Sequence, residues 1–257
     1  MLATDRQLPA EGGVEKRTYV RGLFTAIAPR YDLLNHLLSL NMDRRWRQAA
    51  VDRLGWEQAP AGRYLDLCTG TMDLAAALGN RKGFQGVVIG ADFVHPMLVL
   101  GRGKSPRAVP VTADALDLPF EAARFDGATV GFGVRNLADL DAGLREMARV
   151  LRPGARLVLL EFTTPPRQPL RSIYFFYFRR VLPAIGRLVS KHTTAYSYLP
   201  ESVLAFPEPD VLAERMRQAG FTDVAYRLLT GGICAVHVGT RGEGRRSKVE
   251  GRMGSGA

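Results

Sequence analysis

Residues 63–75 read RYLDLCTGTMDLA. An apolar run leads into Asp66, a tight Cys-Thr-Gly-Thr turn follows, and a helical pattern then begins. This is the strand, turn and helix that open a nucleotide-type α/β sheet. The turn holds one glycine, Gly70, where a dinucleotide loop uses three so that the backbone can approach a pyrophosphate. Thr69 and Met72 stand where a diphosphate loop keeps glycine, so the backbone can approach at Gly70 while a pyrophosphate would be crowded. The turn therefore suits a cofactor with an adenosine and no phosphates.

Working outward, RYLDLC, GVVIGAD, RAVPVTAD, FDGATVGFG and ARLVLLEF alternate with helix-like segments. That alternation implies a parallel sheet covered by helices on both faces. The helix LADLDAGLREMARVL ends at an RPG turn that feeds ARLVLLEF. TDVAYRLLT and GICAVHVGT, joined by a short Gly-Gly turn, read as an antiparallel closing pair. The expectation is one α/β domain over 15–240, with a seven-stranded, mostly parallel sheet and an antiparallel last strand. Residues 15–60, with helices broken at Pro29, and residues 165–210 lie outside the rhythm and are read as a helical lid over the carboxyl ends of the strands. Residues 1–14 and 241–257 are polar and Gly-rich and are read as disordered tails.

The chain of 257 residues is 46% hydrophobic, enough for a sizeable core. Its formal charge of +10 favours polyanionic neighbours, nucleic acid or an anionic membrane surface. Part of the excess lies in the tail residues Arg241, Arg245, Arg246, Lys248 and Arg252. The two cysteines, Cys68 and Cys234, fall in apolar runs, which suits a reducing compartment and supplies no CxxC-type metal cluster. No run approaches the roughly 20 apolar residues that span a bilayer. The expected location is cytoplasmic, with contact to a membrane from one side.

The acids support S-adenosylmethionine as the cofactor. Asp92, in IGADF, ends the second strand about twenty residues beyond Gly70, where a carboxylate accepts hydrogen bonds from both ribose hydroxyls. Asp114, in TADALDLPF, ends the third strand and is suited to the adenine amino group. Asp66 is positioned to orient the methionine ammonium, directly or through the loop. A nicotinamide dehydrogenase would share the ribose acid but needs the missing glycines.

At FDGATVGFGVRNLADLDAGLREMARVLRPGARLVLLEF, residues 125–162, the sequence resembles the UbiE/MenG methyltransferases, which C-methylate the ring of polyprenyl quinones in menaquinone and ubiquinone biosynthesis. Phe132-Gly133-Val134-Arg135-Asn136 is its most specific part. Further matches are FTAIAPRYDLLNHLLSLNMDRRWR near the start, YSYLPESV at 196–203 and LTGGICAVHVG near the end. The resemblance covers about residues 20–240 and implies a Rossmann-like class I S-adenosylmethionine-dependent methyltransferase. It implies cofactor contacts at Thr71, Asp92, Asp114 and Ala115. The sequence departs from the family at Met72, where many members have Gly or Ala, at Asp114, where some have Asn, and at Gly131, where some have Ser. With Asp66 and Gly70 these make up the expected cofactor site.

The implied reaction methylates an aromatic carbon of a hydroquinone, which is nucleophilic once a ring hydroxyl is deprotonated. The carbon must lie about 3–3.5 Å from the sulfonium methyl, and the sulfonium makes that methyl electrophilic without a metal. Arg135 is expected to stabilise the phenolate, Asn136 to orient the same oxygen, and Tyr31 with Asp32 to bond the hydroxyl or relay its proton. His192 is an alternative base. As structural alternatives, Arg135 caps a turn or pairs with Asp139, and Tyr31 packs the lid. The main substrate expectation is demethylmenaquinol, converted to menaquinol. The alternatives are the ubiquinone precursor 2-polyprenyl-6-methoxy-1,4-benzoquinol and another small molecule.

The stretch LRSIYFFYFRRVLPAIGRLVSKH mixes apolar residues with Arg171, Arg179, Arg180, Arg187 and Lys191, as an element peripheral to an anionic membrane does. Nucleic acid is not expected as a substrate. TTPPRQ is not the motif of base-nitrogen methylation, and neither cysteine follows a proline as cytosine-carbon methylation requires. A binding scaffold without turnover is the non-enzymatic reading. A homo-oligomer is compatible with the sequence, which leaves the oligomeric state open.

Overall fold

The computed structural model describes residues 13–181 and 194–243; His192 and much of the basic stretch around it therefore lie outside the described residues. The chain begins with α1 (Val14–Ile27), a 3-10 turn at Ala28–Arg30, α2 (Tyr31–Leu38) and α3 (Met42–Leu54). The alternating part follows: β1 (Arg63–Leu67), α4 (Asp73–Gly79), β2 (Val87–Asp92), α5 (His95–Gly101), β3 (Ala108–Thr112), β4 (Phe125–Gly131), α6 (Leu140–Val150) and β5 (Leu151–Phe162). After β5 come α7 (Leu170–Phe176), α8 (Thr194–Leu204), α9 (Pro209–Gln218), β6 (Phe221–Leu229) and β7 (Cys234–Arg241).

The seven strands form one sheet in the order β3-β2-β1-β4-β5-β7-β6. β1 is parallel to β2 on one side and to β4 on the other, with Asp66 beside Gly90 and beside Thr129. Strand order reverses between β1 and β4, so a crevice opens at their carboxyl ends, where doubly wound sheets bind ligands. β7 runs antiparallel to both β5 and β6 and is the one antiparallel strand. The RPG segment is not a separate turn. It is an irregularity within β5, where the register against β4 jumps between Phe125 and Gly127.

Period-two alternation divides the core between the two faces. Leu65 and Leu67 of β1 pack with Leu144 and Met147 of α6 and Leu212 and Met216 of α9. Tyr64 faces the other way, toward Trp46, Ala50, Val51 and Leu54 of α3 and Leu74 of α4. The N-terminal segment thus divides in two. α3 is a sheet-face helix, closed by Gly55 at a φ of 76° that favours glycine. α1 and α2 stay near the crevice, where Val20 and Leu23 of α1 meet Tyr198 of α8. Tyr174, Phe178 and Val203, from the segment after β5, pack with Phe162 and Ile233, at the end of β5 and just before β7.

Candidate active site

The turn after β1 is organised from beneath by Asp66, which is fully buried. Its carboxylate accepts from Thr129 Oγ1 at 2.8 Å, from the Ala75 amide at 3.0 Å and from the Thr69 hydroxyl. Burial pushes its pKa up to about 6, against the pull of those three donors. Asp66 therefore shapes the loop and does not itself line a cavity. Cys68, Gly70 and Met72 adopt positive φ values of 51°, 56° and 64°, and Phe132 after β4 has 59°. Left-handed non-glycine residues thus gather at the neighbouring ends of β1 and β4, where strain marks functional loops. The two loops touch: a Cβ on Gly133 would lie 2.3 Å from Cys68 Cβ, so only glycine fits there.

Thr69 and Met72 do not crowd the space above the turn, contrary to the expectation from their positions. The Thr69 hydroxyl turns inward to Asp66, and the Met72 side chain is buried against Gly90 and Gly101. Neither side chain lines the cavity above the turn. The preference for a phosphate-free cofactor rests instead on the acids around that cavity.

That cavity is lined by Gly70, Asp92, Asp114, Ala115, Asn136 and Tyr31, together with Cys68, whose apolar run gives no sign of a place at the site. Asp92 accepts from the Gly70 amide at 2.8 Å and from the Val94 amide at 2.8 Å, and burial raises its pKa. Its carboxylate fixes the glycine turn and also lines the cavity. Asp114 accepts from the Leu116 amide at 3.0 Å, and its other oxygen pairs with Arg17 of α1 at 2.5 Å. Thr71 and Gly131 do not line the cavity. The Thr71 hydroxyl donates to Asp32, and a Cβ on Gly131 would meet Leu74 at 3.1 Å. Asp32 also pairs with Lys104 at 2.6 Å, so it ties α2 to the turn after β1, and it lines neither this cavity nor the apolar one beside it.

A second cavity of about 370 Å³, within the range of small-molecule sites, shares Phe24, Tyr31 and Phe132 with the first. Its walls are mainly aromatic and aliphatic, with Trp46, Phe162, Tyr174 and Ile173 among them. Arg135 lines it and donates to Glu161 Oε1 at 2.7 Å and to the Phe132 carbonyl. Burial opposes the charge of Arg135, but Glu161, with Tyr31 and Tyr198, more than offsets this and holds the guanidinium protonated. The partner is thus Glu161; Asp139 instead caps α6 by accepting from the Ala142 amide at 2.8 Å. Asn136 accepts from Tyr198 Oη at 3.0 Å. Tyr31 sits where the cavities meet, and burial raises its phenol pKa.

Asp66 offers a pH test. Its raised pKa means that the folded chain holds a proton that the unfolded chain has lost between about pH 4 and pH 6. Stability from this group therefore falls as pH rises through that window, by about 3 kcal/mol between about pH 4 and pH 6. Asp66→Asn removes the titration and keeps a side-chain oxygen as acceptor. Urea unfolding at steps from pH 4 to pH 7 is expected to show the variant gaining on the wild type as pH rises; parallel curves would mean that Asp66 does not titrate in this range.

A model of the ubiE/COQ5 methyltransferase family matches residues 13–241. A Thermus thermophilus protein named demethylmenaquinone methyltransferase is 53% identical over 224 residues, covering 85% of this chain and 100% of the relative. A Geobacter sp. (strain M21) protein named ubiquinone/menaquinone biosynthesis C-methyltransferase UbiE is 46% identical, covering 88% and 98% respectively. Among solved structures, an S-adenosylmethionine-dependent methyltransferase from Thermotoga maritima superposes with a TM-score of 0.59 at 18% identity, covering 86% of this chain and 98% of that one.

Proposed function

The chain belongs to the ubiE/COQ5 methyltransferase family of S-adenosylmethionine-dependent enzymes, and from that premise we propose that it C-methylates the ring of a polyprenyl hydroquinone, converting demethylmenaquinol to menaquinol. The observation that carries this reading is the apolar cavity of about 370 Å³ that meets the acid-lined cavity at Tyr31, with Arg135 in its wall. The residues around the acid-lined cavity fit the cofactor chemically: Gly70 offers close backbone approach, Asp92 faces the ribose space, and Asp114 with Ala115 suits the adenine. When bound there, S-adenosylmethionine supplies an electrophilic methyl group. The adenine amino group must compete with Arg17 for Asp114.

On the substrate side, the apolar walls exclude water from the ring, so charge developing on a ring oxygen falls to fixed protein groups. Arg135 is the guanidinium we assign to that charge. Glu161 holds it in place, and its Nε is buried without a hydrogen-bond acceptor among the described residues. Asn136, steadied by Tyr198, lines the cofactor side of the same loop. Tyr31, kept protonated by its burial, is suited to bond the ring oxygen or to relay its proton, passing one on as it takes one, since it reaches both cavities. Asp32 acts through the turn, by its bond to Thr71. The test is transfer of labelled methyl from S-adenosylmethionine to demethylmenaquinol and to the demethylated ubiquinol precursor, each reduced and oxidised, in detergent. Transfer to reduced demethylmenaquinol alone supports the reading. Methylation of an oxidised ring, or of neither ring while the cofactor binds, overturns it.

A polyprenyl tail also requires access to a bilayer. No helix among the described residues is long and apolar enough to cross a membrane. Leu40 and Ile173, which line the apolar cavity, are nevertheless 82% and 59% exposed, and Phe176 on α7 is 64% exposed. With Arg171 on the same helix and the chain's net charge of +10, this supports peripheral contact with an anionic membrane, the cavity mouth toward the lipid. Ile173→Glu with Phe176→Glu is expected to lower co-sedimentation with phosphatidylglycerol vesicles by about tenfold or more. Unchanged binding would remove α7 from the contact.

A further inference from the structure

The second guanidinium in the apolar cavity has no role in the reaction as drawn so far. Arg47 of α3 is buried to 8% exposure and lines the same cavity as Tyr31 and Arg135. Carboxylates hold it: it donates to Asp43, which lines the same cavity, and lies 3.4 Å from Asp73. Asp43, only 2% exposed, is itself fixed by Ser39 Oγ at 2.7 Å and His36 Nδ1 at 2.8 Å. Asp73 is bonded to Lys104 at 2.6 Å, and Lys104 to Asp32 at 2.6 Å. The guanidinium is thus immobilised, at the wall of a cavity whose other walls are mostly apolar.

The two cavity arginines flank a pair of rings. Arg47 Cζ lies 6.0 Å from the centroid of Phe132, and Arg135 Cζ 5.5 Å from that of Phe162. The rings are 4.6 Å apart and tilted by 33°. Each arginine thus lies against a different ring of one packed pair, so a quinol ring held by that pair has a separate guanidinium for each of its oxygens. A 1,4-hydroquinone carries two oxygens, para to each other on one ring, also when that ring is fused to a second.

We propose, building on the quinol reading above, that Arg47 binds the second ring oxygen of the 1,4-hydroquinone while Arg135 binds the first, so that the cavity selects a para-dioxygenated ring. Two fixed donors at opposite ends reward a diol, and a ring with a single oxygen leaves one guanidinium facing apolar carbon. Arg47 is thereby a substrate-binding residue. Asp43, His36 and Ser39 act through it as positioning residues.

The test is anaerobic equilibrium binding of two probes, 1,4-dihydroxynaphthalene and 1-naphthol, to the full chain under dithionite, read by quenching of tryptophan fluorescence, since Trp46 lines the cavity. The wild type is expected to prefer the diol by about ten- to hundredfold, the range of one charge-assisted hydrogen bond. Arg47→Met is expected to bring that ratio to about one while 1-naphthol affinity changes less than about threefold. Arg47→Lys keeps the cation beside Asp43 and loses the fork; it is expected to fall between, and it provides the readout if Arg47→Met does not fold. Equal weakening of both probes in either variant would make Arg47 structural only and overturn the proposal, as would an unchanged ratio. Failure of both probes to bind the wild type would instead strike the quinol reading of the cavity, and the proposal with it.

Discussion

Arg135→Met is expected to lower kcat for quinol methylation by about 10²–10³-fold, the usual cost of removing one fixed donor from a developing oxyanion. The dissociation constant for S-adenosylmethionine should stay within about twofold. The split follows from position: Arg135 lines the apolar cavity and not the acid-lined one. Removing the guanidinium also strands Glu161, which is 1% exposed. The measurement is therefore repeated in Arg135→Met/Glu161→Gln, where no buried charge is left unpaired. Arg135→Lys keeps the charge but not the two-pronged geometry and should recover only part of the loss. If kcat stays within about tenfold of wild type in the double variant, Arg135 has no place in the transition state.

The largest effect on stability is expected at the other end of the same pair. Glu161→Ala leaves a buried guanidinium whose remaining described partner is the Phe132 carbonyl, at a cost of about 3–5 kcal/mol. Arg135→Met/Glu161→Met removes both charges and should cost less than Glu161→Ala alone, because apolar replacement of a buried ion pair is often close to neutral. Urea unfolding of these two variants and of the single variants Arg135→Met and Glu161→Met checks this. Energies that simply add, within about 0.5 kcal/mol, would show that the two side chains are not coupled.

Much of the frame was legible in the sequence. All seven strands lie where apolar runs and turn residues predict them, and Asp92, Asp114 and Gly70 meet at one cavity as the spacing implies. Arg47 and Asp43 were missed although a signal existed. Asp43, Trp46, Arg47, Ala50, Val51 and Leu54 are all buried, at the 3–4-residue spacing of one helical face. Read that way, NMDRRWR separates Arg47, facing in, from Arg44 and Arg45, facing out. Glu161 was hidden inside an apolar strand run, where an acid hints at a buried partner without naming it. Arg17 meeting Asp114 is a contact across nearly a hundred positions, and local pattern carries no trace of it. Met72 was legible as a non-glycine but not as a left-handed residue whose side chain packs inward. The hairpin of β6 and β7 could be read, but not which of its strands would join β5.

That last choice has a consequence for how the protein is made. β7 is the seventh strand in chain order, yet it hydrogen-bonds on both edges, to β5 and to β6. As the chain leaves the ribosome, β6 therefore emerges with no strand to join, and β5 keeps a bare edge until Cys234–Arg241 arrives. Cys234, Ala235 and Val236 are each 2% exposed or less, so their arrival seals the core as well as the edge. Translation halted near residue 233 would release a nascent chain with β1 to β5 assembled and an open, apolar edge prone to intermolecular pairing. The strand that completes the sheet follows the other six in the chain, so the sheet stays open at β5 until β7 has emerged.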